Sequence, residues 1–150
     1  MRKHDAPPTV EQMDRLLAFL PVFERPDFIP AWDRQVPEEL KGSFMAMEEE
    51  WAPELEAFHQ AIDEEGFAFS FAWSEWQEQA AALVNQPETL AQADLQDLCR
   101  LLTTHVRTWS RVVRFCANHL PSMVRCGHIT RLLQRLQEIR QSEMPQTSTP

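Results

Sequence analysis

Residues 94–120 read DLQDLCRLLTTHVRTWSRVVRFCANHL. Leu98, Leu101, Leu102, His105, Trp109, Val112, Val113, Cys116 and Leu120 recur at three- and four-residue spacing. That is the period of an α-helix with one apolar stripe. Asp94 supplies an N-cap, and Pro121 sets the expected end. A stripe of this length cannot face water, so other helices must cover it. Opposite the stripe run Arg100, Arg107, Arg111 and Arg114, at spacings of seven, four and three.

The flanking sequence supplies those other helices. Thr9 and Gln12 form a capping box, and Val10, Met13, Leu17 and Leu20 share a face that Pro21 is expected to end. Pro21, Pro26, Pro30 and Pro37 mark an irregular segment over about 21–50, expected to press Phe23, Phe28, Ile29 and Trp32 onto the core. Pro53 suits a first helical turn and Gly66 a left-handed stop, which predicts a helix over about 53–65 carrying Leu55, Phe58, His59 and Ile62. Residues 67–73 (FAFSFAW) alternate large and small side chains, as a short extended segment does. Ser74 and Gln77 read as a second capping box, opening a helix with Trp73, Trp76, Ala80 and Leu83 on one face and Asn85-Gln86-Pro87 at its end. A short turn from Pro121 to Cys126 closes at Gly127. A last helix over about 128–140 turns Ile129, Leu132, Leu133, Leu136 and Ile139 inward. The fold expected is an all-α, compact bundle of five or six helices over 9–140, with a flexible arm at 1–8 and a flexible tail at 141–150.

Composition agrees with one globular unit: 150 residues, 43% hydrophobic and 25% charged. Three glycines against eleven prolines leave little room for phosphate-cradling loops. The net charge of −9 is unevenly spread. Residues 1–97 hold 21 acidic and 6 basic side chains, a balance of −15; residues 98–150 hold 2 acidic and 8 arginines, a balance of +6. Such a split fits two halves that face each other, or a tail that meets an acidic partner, and the overall sign argues against general nucleic-acid coating. No apolar run approaches the roughly 20 residues of a membrane span, and residues 1–8 are not a signal peptide. Cys99, Cys116 and Cys126 are an odd set with no secretory cue, so the expected compartment is the cytoplasm.

Several clusters could carry chemistry. Arg100, Arg107, Arg111 and Arg114, extended by Arg131 and Arg135, form a candidate anion- or partner-binding face, because guanidinium groups grip carboxylates and phosphates with paired donors. The plainer reading is the polar side of an amphipathic helix, neutralised by acidic neighbours. Cys116, His119, Cys126 and His128 offer four soft or borderline ligands within 13 residues. Their spacing matches no common zinc module, so neither metal nor cofactor is assigned. Glu56 and His59, with Asp63 beyond, are half of a di-iron pattern whose second half is missing; His59 reads instead as a core-rim histidine beside a carboxylate. The run Glu48-Glu49-Glu50 with Glu54 and Glu56 reads as solvated surface. No G-x-S-x-G elbow supports a serine nucleophile, and no catalytic residue is assigned. His105, on the apolar stripe, reads as a hydrogen-bonded core histidine.

Leu16 to Phe23, Gly66-Phe67, Phe71 to Trp76, Leu101 to Arg107, Arg114-Phe115-Cys116, His119-Leu120 and Gly127-His128-Ile129 occur in an order that resembles a bacterial family known only as a domain of unknown function. The resemblance spans about 13–140. The chain departs from the family pattern at Ala117 and Asn118, in place of an acidic residue and a glycine, and at Arg125, in place of an acidic residue. What the resemblance implies is a mainly helical domain, with no reaction, ligand or partner attached. The function expected from the residues is protein–protein interaction, including self-association. The alternatives are a nucleic-acid or anion-binding module on the arginine face, and a metal-dependent hydrolase around the cysteine–histidine cluster.

Overall fold

A computed structural model describes residues 6–33, 38–40, 49–111 and 119–142. Helix α1 is Val10–Leu17, α2 Leu20–Glu24, α3 Pro53–Glu64, α4 Gln77–Asn85, α5 Pro87–Leu90, α6 Leu95–Arg111, α7 His119–Arg125 and α8 His128–Ser142. Strands β1 (Ala31–Asp33) and β2 (Glu49–Trp51) pair antiparallel, with Ala31 opposite Trp51. The protein is an all-α bundle with this one small ribbon at its side. Val112, Val113, Arg114, Phe115, Cys116 and Glu48, the side chains of Trp109 and Arg111, and most of the arm and tail lie outside what is described. Within the ends, Pro8 is buried and α8 reaches Ser142.

α6 is the central element. Leu98, Cys99, Leu101, Leu102, Thr103, Thr104 and His105 are all buried, more than one stripe. Its two threonines can be covered because their hydroxyls are satisfied. Thr104 donates to the Arg100 carbonyl at 2.8 Å. Thr103 donates to the Cys99 carbonyl at 2.7 Å and accepts the Phe69 amide at 3.2 Å. That second bond fixes the expected extended segment, seating Phe67 and Phe69 in the core. Thr103→Val keeps the volume but removes the buried hydrogen bond from the Phe69 amide. It is expected to cost about 2 kcal/mol in urea unfolding, and a loss below about 0.5 kcal/mol would contradict this role for the hydroxyl.

The ends of the elements follow local chemistry. The Thr9–Gln12 box is complete: the Gln12 amide donates to Thr9 Oγ1 at 3.2 Å, and the Thr9 amide to Gln12 Oε1 at 2.8 Å. Asp94 caps α6 through the Asp97 amide at 2.8 Å. At the end of α3, Gly66 (φ 79°) lets Phe67 N reach Ile62 O and Gly66 N reach Asp63 O, a full Schellman stop. On the same helix Phe58 belongs to an aromatic nest, 5.4 Å from Phe19 and 5.0 Å from Phe23.

The structure corrects five expectations. Pro21 does not end the first helix; the chain turns at Ala18 and Phe19, and Pro21 starts α2, where its missing N–H costs nothing. The segment 21–50 is not wholly irregular, since it contains α2 and the ribbon. Within it Ile29 and Trp32 are not in the core; Ala31 takes the inward place and Trp32 alternates outward. The Ser74 capping box does not form: a 3₁₀ turn, Trp73–Trp76, leads into α4, and Gln77 Nε2 donates to the Trp73 carbonyl. His119 and Leu120 open α7 rather than close α6, with Pro121 in the first turn, where no helical amide partner is lost. No helix among the described residues is long and apolar enough to cross a membrane.

Candidate functional site: a chain of three histidines

The sequence proposed the arginines first. Arg100 Nη1 donates to Asp97 Oδ1 at 3.3 Å, one turn back on α6. Arg135 Nε donates to the Ala93 carbonyl at 2.8 Å and Nη1 to Glu138 at 3.0 Å. Arg131 Nη1 lies 3.5 Å from the Cys126 carbonyl. Arg107 lines a hollow of about 480 Å³ with His59, Gln60 and Asp63. Arg131 and Arg135 line one hollow against α5, while Arg107 lines another; Arg100 and Arg135 have their own chain's oxygens as partners.

The cysteine–histidine cluster is rearranged. Cys126 is exposed, its thiol 3.5 Å from the Met123 carbonyl, and Cys116 lies outside the described residues. His119 and His128 are brought together, but by His105. His105 Nδ1 is 2.8 Å from His119 Nε2, and His105 Nε2 is 3.1 Å from His128 Nε2. The bridging ring uses nitrogens on its two opposite sides, so the contacts form a line and not a cage around one centre. Among the described residues no group of three or more His, Cys, Asp or Glu is arranged to hold a metal ion.

Helical geometry explains the assembly. His105 falls on the buried stripe of α6, His119 begins α7, and His128 begins α8 immediately after Gly127, whose φ of 84° turns the chain between them. Burial holds His105 well below the ordinary histidine range, and the neighbouring His128 and His119 push it further the same way. His128, wholly enclosed, is lowered to about 4 by burial, then by Arg131 and His119. His119 is half-buried and is lowered by burial. The rings are therefore neutral at pH 7.

Neutrality sets the direction of the chain. Three neutral imidazoles carry three N–H groups, two of which occupy the two contacts. The third must sit at one end. His128 Nδ1 is buried with no partner, and a stranded donor is the costlier outcome. The arrangement that avoids it runs His128 Nε2–H to His105 Nε2, then His105 Nδ1–H to His119 Nε2. The last N–H, on His119 Nδ1, is then carried by the half-buried ring at the edge.

His105 was expected to be bonded in the core, and it is. What the sequence reading missed was its partners. The usable signal was that a histidine on an apolar stripe needs polar company, and the neighbouring helix starts supply only His119 and His128 nearby. Elsewhere His59 meets Trp51 edge-on at 5.5 Å; burial lowers it and Asp63 opposes the shift, the core-rim role expected.

The fold and this cluster of histidines define an all-α domain with three imidazoles set in a line between α6, α7 and α8. The chain belongs to DUF6508, a family of unknown function, whose profile matches residues 8–142. No curated protein and no solved structure gives a significant match.

Proposed function

We propose that this protein is an interaction module of the cytoplasm that works by self-association through the face carrying Ile29 and Trp32. One observation carries the reading: these large apolar side chains are 63% and 43% exposed, while among the described residues no other large apolar side chain is exposed to that extent. Both line one shallow hollow of about 270 Å³, with Phe28 and Pro53 beside them and Arg25, Asp27 and Glu54 at its rim. An apolar centre ringed by both signs of charge is self-complementary, which is what a two-fold interface requires. The arginine face supports an anion or nucleic-acid partner less well, because Arg100 and Arg135 already have partners in their own chain.

Sedimentation velocity over a range of protein concentrations tests this. The wild-type chain is expected to shift from monomer to dimer as concentration rises. Ile29→Asp with Trp32→Ala should remain monomeric with an unchanged helical circular-dichroism spectrum. A wild type that stays monomeric at every concentration, or a double variant that associates equally well, would refute the proposal.

A further inference from the structure

We infer that the His119–His105–His128 chain is a proton-operated latch that fastens α7 to α6 and α8 and releases α7 when the chain takes up protons. The argument begins with a count. Each of the two nitrogen–nitrogen contacts needs one N–H and one lone pair. The six ring nitrogens can therefore hold at most four protons while both contacts survive. Three neutral rings hold three. A first extra proton fits, but only if both outer nitrogens, on His119 and on His128, carry hydrogen. That forces an N–H onto His128 Nδ1, which is buried and has no acceptor. A second extra proton leaves one lone pair for two contacts, so one contact must break.

The position of the weak point follows from burial. His105 is 3% and His128 0% exposed, whereas His119 is half-buried. Positive charge in the chain settles on the ring nearest water, and that ring belongs to α7. This helix has seven residues and is followed, after Cys126, by Gly127, a left-handed pivot. Leu120, Pro121 and Val124 hold it by packing, and Arg125 Nη2 holds it through the Ala31 carbonyl of β1 at 3.1 Å.

The charges that reach the chain act in one sense. At His105 they come from His128 on α8 and His119 on α7; at His128 they come from Arg131 on α8 and from His119. Among the described residues, the charges that reach these rings, Arg131 and the rings themselves, disfavour the imidazolium form. Burial lowers all three titrations in the same sense. Proton uptake is a simple addition from solvent to a ring nitrogen, and its outlet is the departure of His119 from His105.

Native-state hydrogen exchange of the full chain, corrected for intrinsic rates, reads the latch directly. Between pH 7 and pH 5, amides of His119–Arg125 are expected to lose protection on the order of tenfold or more relative to amides of α3. His119→Gln keeps a donor and an acceptor but cannot titrate, and should abolish this pH-dependent loss. Protection in α7 that tracks α3 down to pH 5, or that falls equally in the variant, would overturn the latch. Should the variant fail to fold, the imidazole ¹⁵N resonances of the wild type decide: neutral rings at pH 7 whose protonation coincides with α7 exchange support the latch, and rings already charged in the folded protein at pH 7 sink it.

Discussion

Phe58→Ala is expected to destabilise the protein by about 3–5 kcal/mol. Phe58 is 0% exposed on α3, with Phe19 and Phe23 set against its ring at 5.4 and 5.0 Å, both at steep interplanar angles. Truncation removes the transfer energy of a whole ring and the edge-to-face contacts with it. It also leaves a void that α1, α2 and α3 cannot readily close, because Leu16, Leu20, Leu55 and Ile62 of the same core are already buried. The check is the midpoint of urea unfolding at unchanged slope, which separates lost stability from a changed unfolded state. Phe28→Ala serves as the contrast. Phe28 touches only Phe23 in this nest, at 5.6 Å, and is partly exposed, so its loss should be about 1 kcal/mol. Equal losses at the two positions would mean that the nest is not where the α1–α3 packing is concentrated.

Most of the fold was readable because its signals are local. The Thr9–Gln12 box, Pro53, Gly66, Asp94 and Gly127 each act within a turn of chain, and each does in the structure what its chemistry predicts. The apolar spacing of α6 and α8 carried the architecture, since only helices can cover such stripes. The failures arose where one residue allows two local outcomes. A proline stops one helix and starts the next equally well, so Pro21 and Pro121 were misread. The ribbon was missed because three-residue strands leave too short a pattern, and its partner strand lies beyond an intervening segment. The site failed for a different reason. His105 and His128 are 23 positions apart and on different helices, so no spacing rule joins them. Only the tertiary packing of α6, α7 and α8 does so, and sequence proximity instead grouped His119 with Cys126, which the fold leaves exposed.

Acid should weaken the native state before its carboxylates titrate. In the unfolded chain each of these histidines takes up a proton near pH 6.5. In the folded chain the same rings resist, His128 down to about 4. A folded value below the unfolded one means the unfolded state binds more protons between the two, so stability falls as pH falls. The contribution of neutral His128 is therefore complete above pH 6.5, declines through the interval, and is lost by about pH 4; the gap corresponds to about 3 kcal/mol. His105 and His119 shift in the same direction and steepen the decline. His59, lowered by burial against Asp63, adds to it from outside the chain, so His59→Gln is the background for the measurement. Asp14, held low by Arg140, loses its contribution only below its ordinary 3.8, outside this interval. Urea titrations at pH 7.5, 6.5, 5.5 and 4.5 in that background should show falling unfolding free energies at constant slope, and His128→Gln should flatten the trend. Stability that is level across this range would mean that water reaches the three rings in the folded protein, and neither their neutrality nor the direction of their hydrogen bonds would survive.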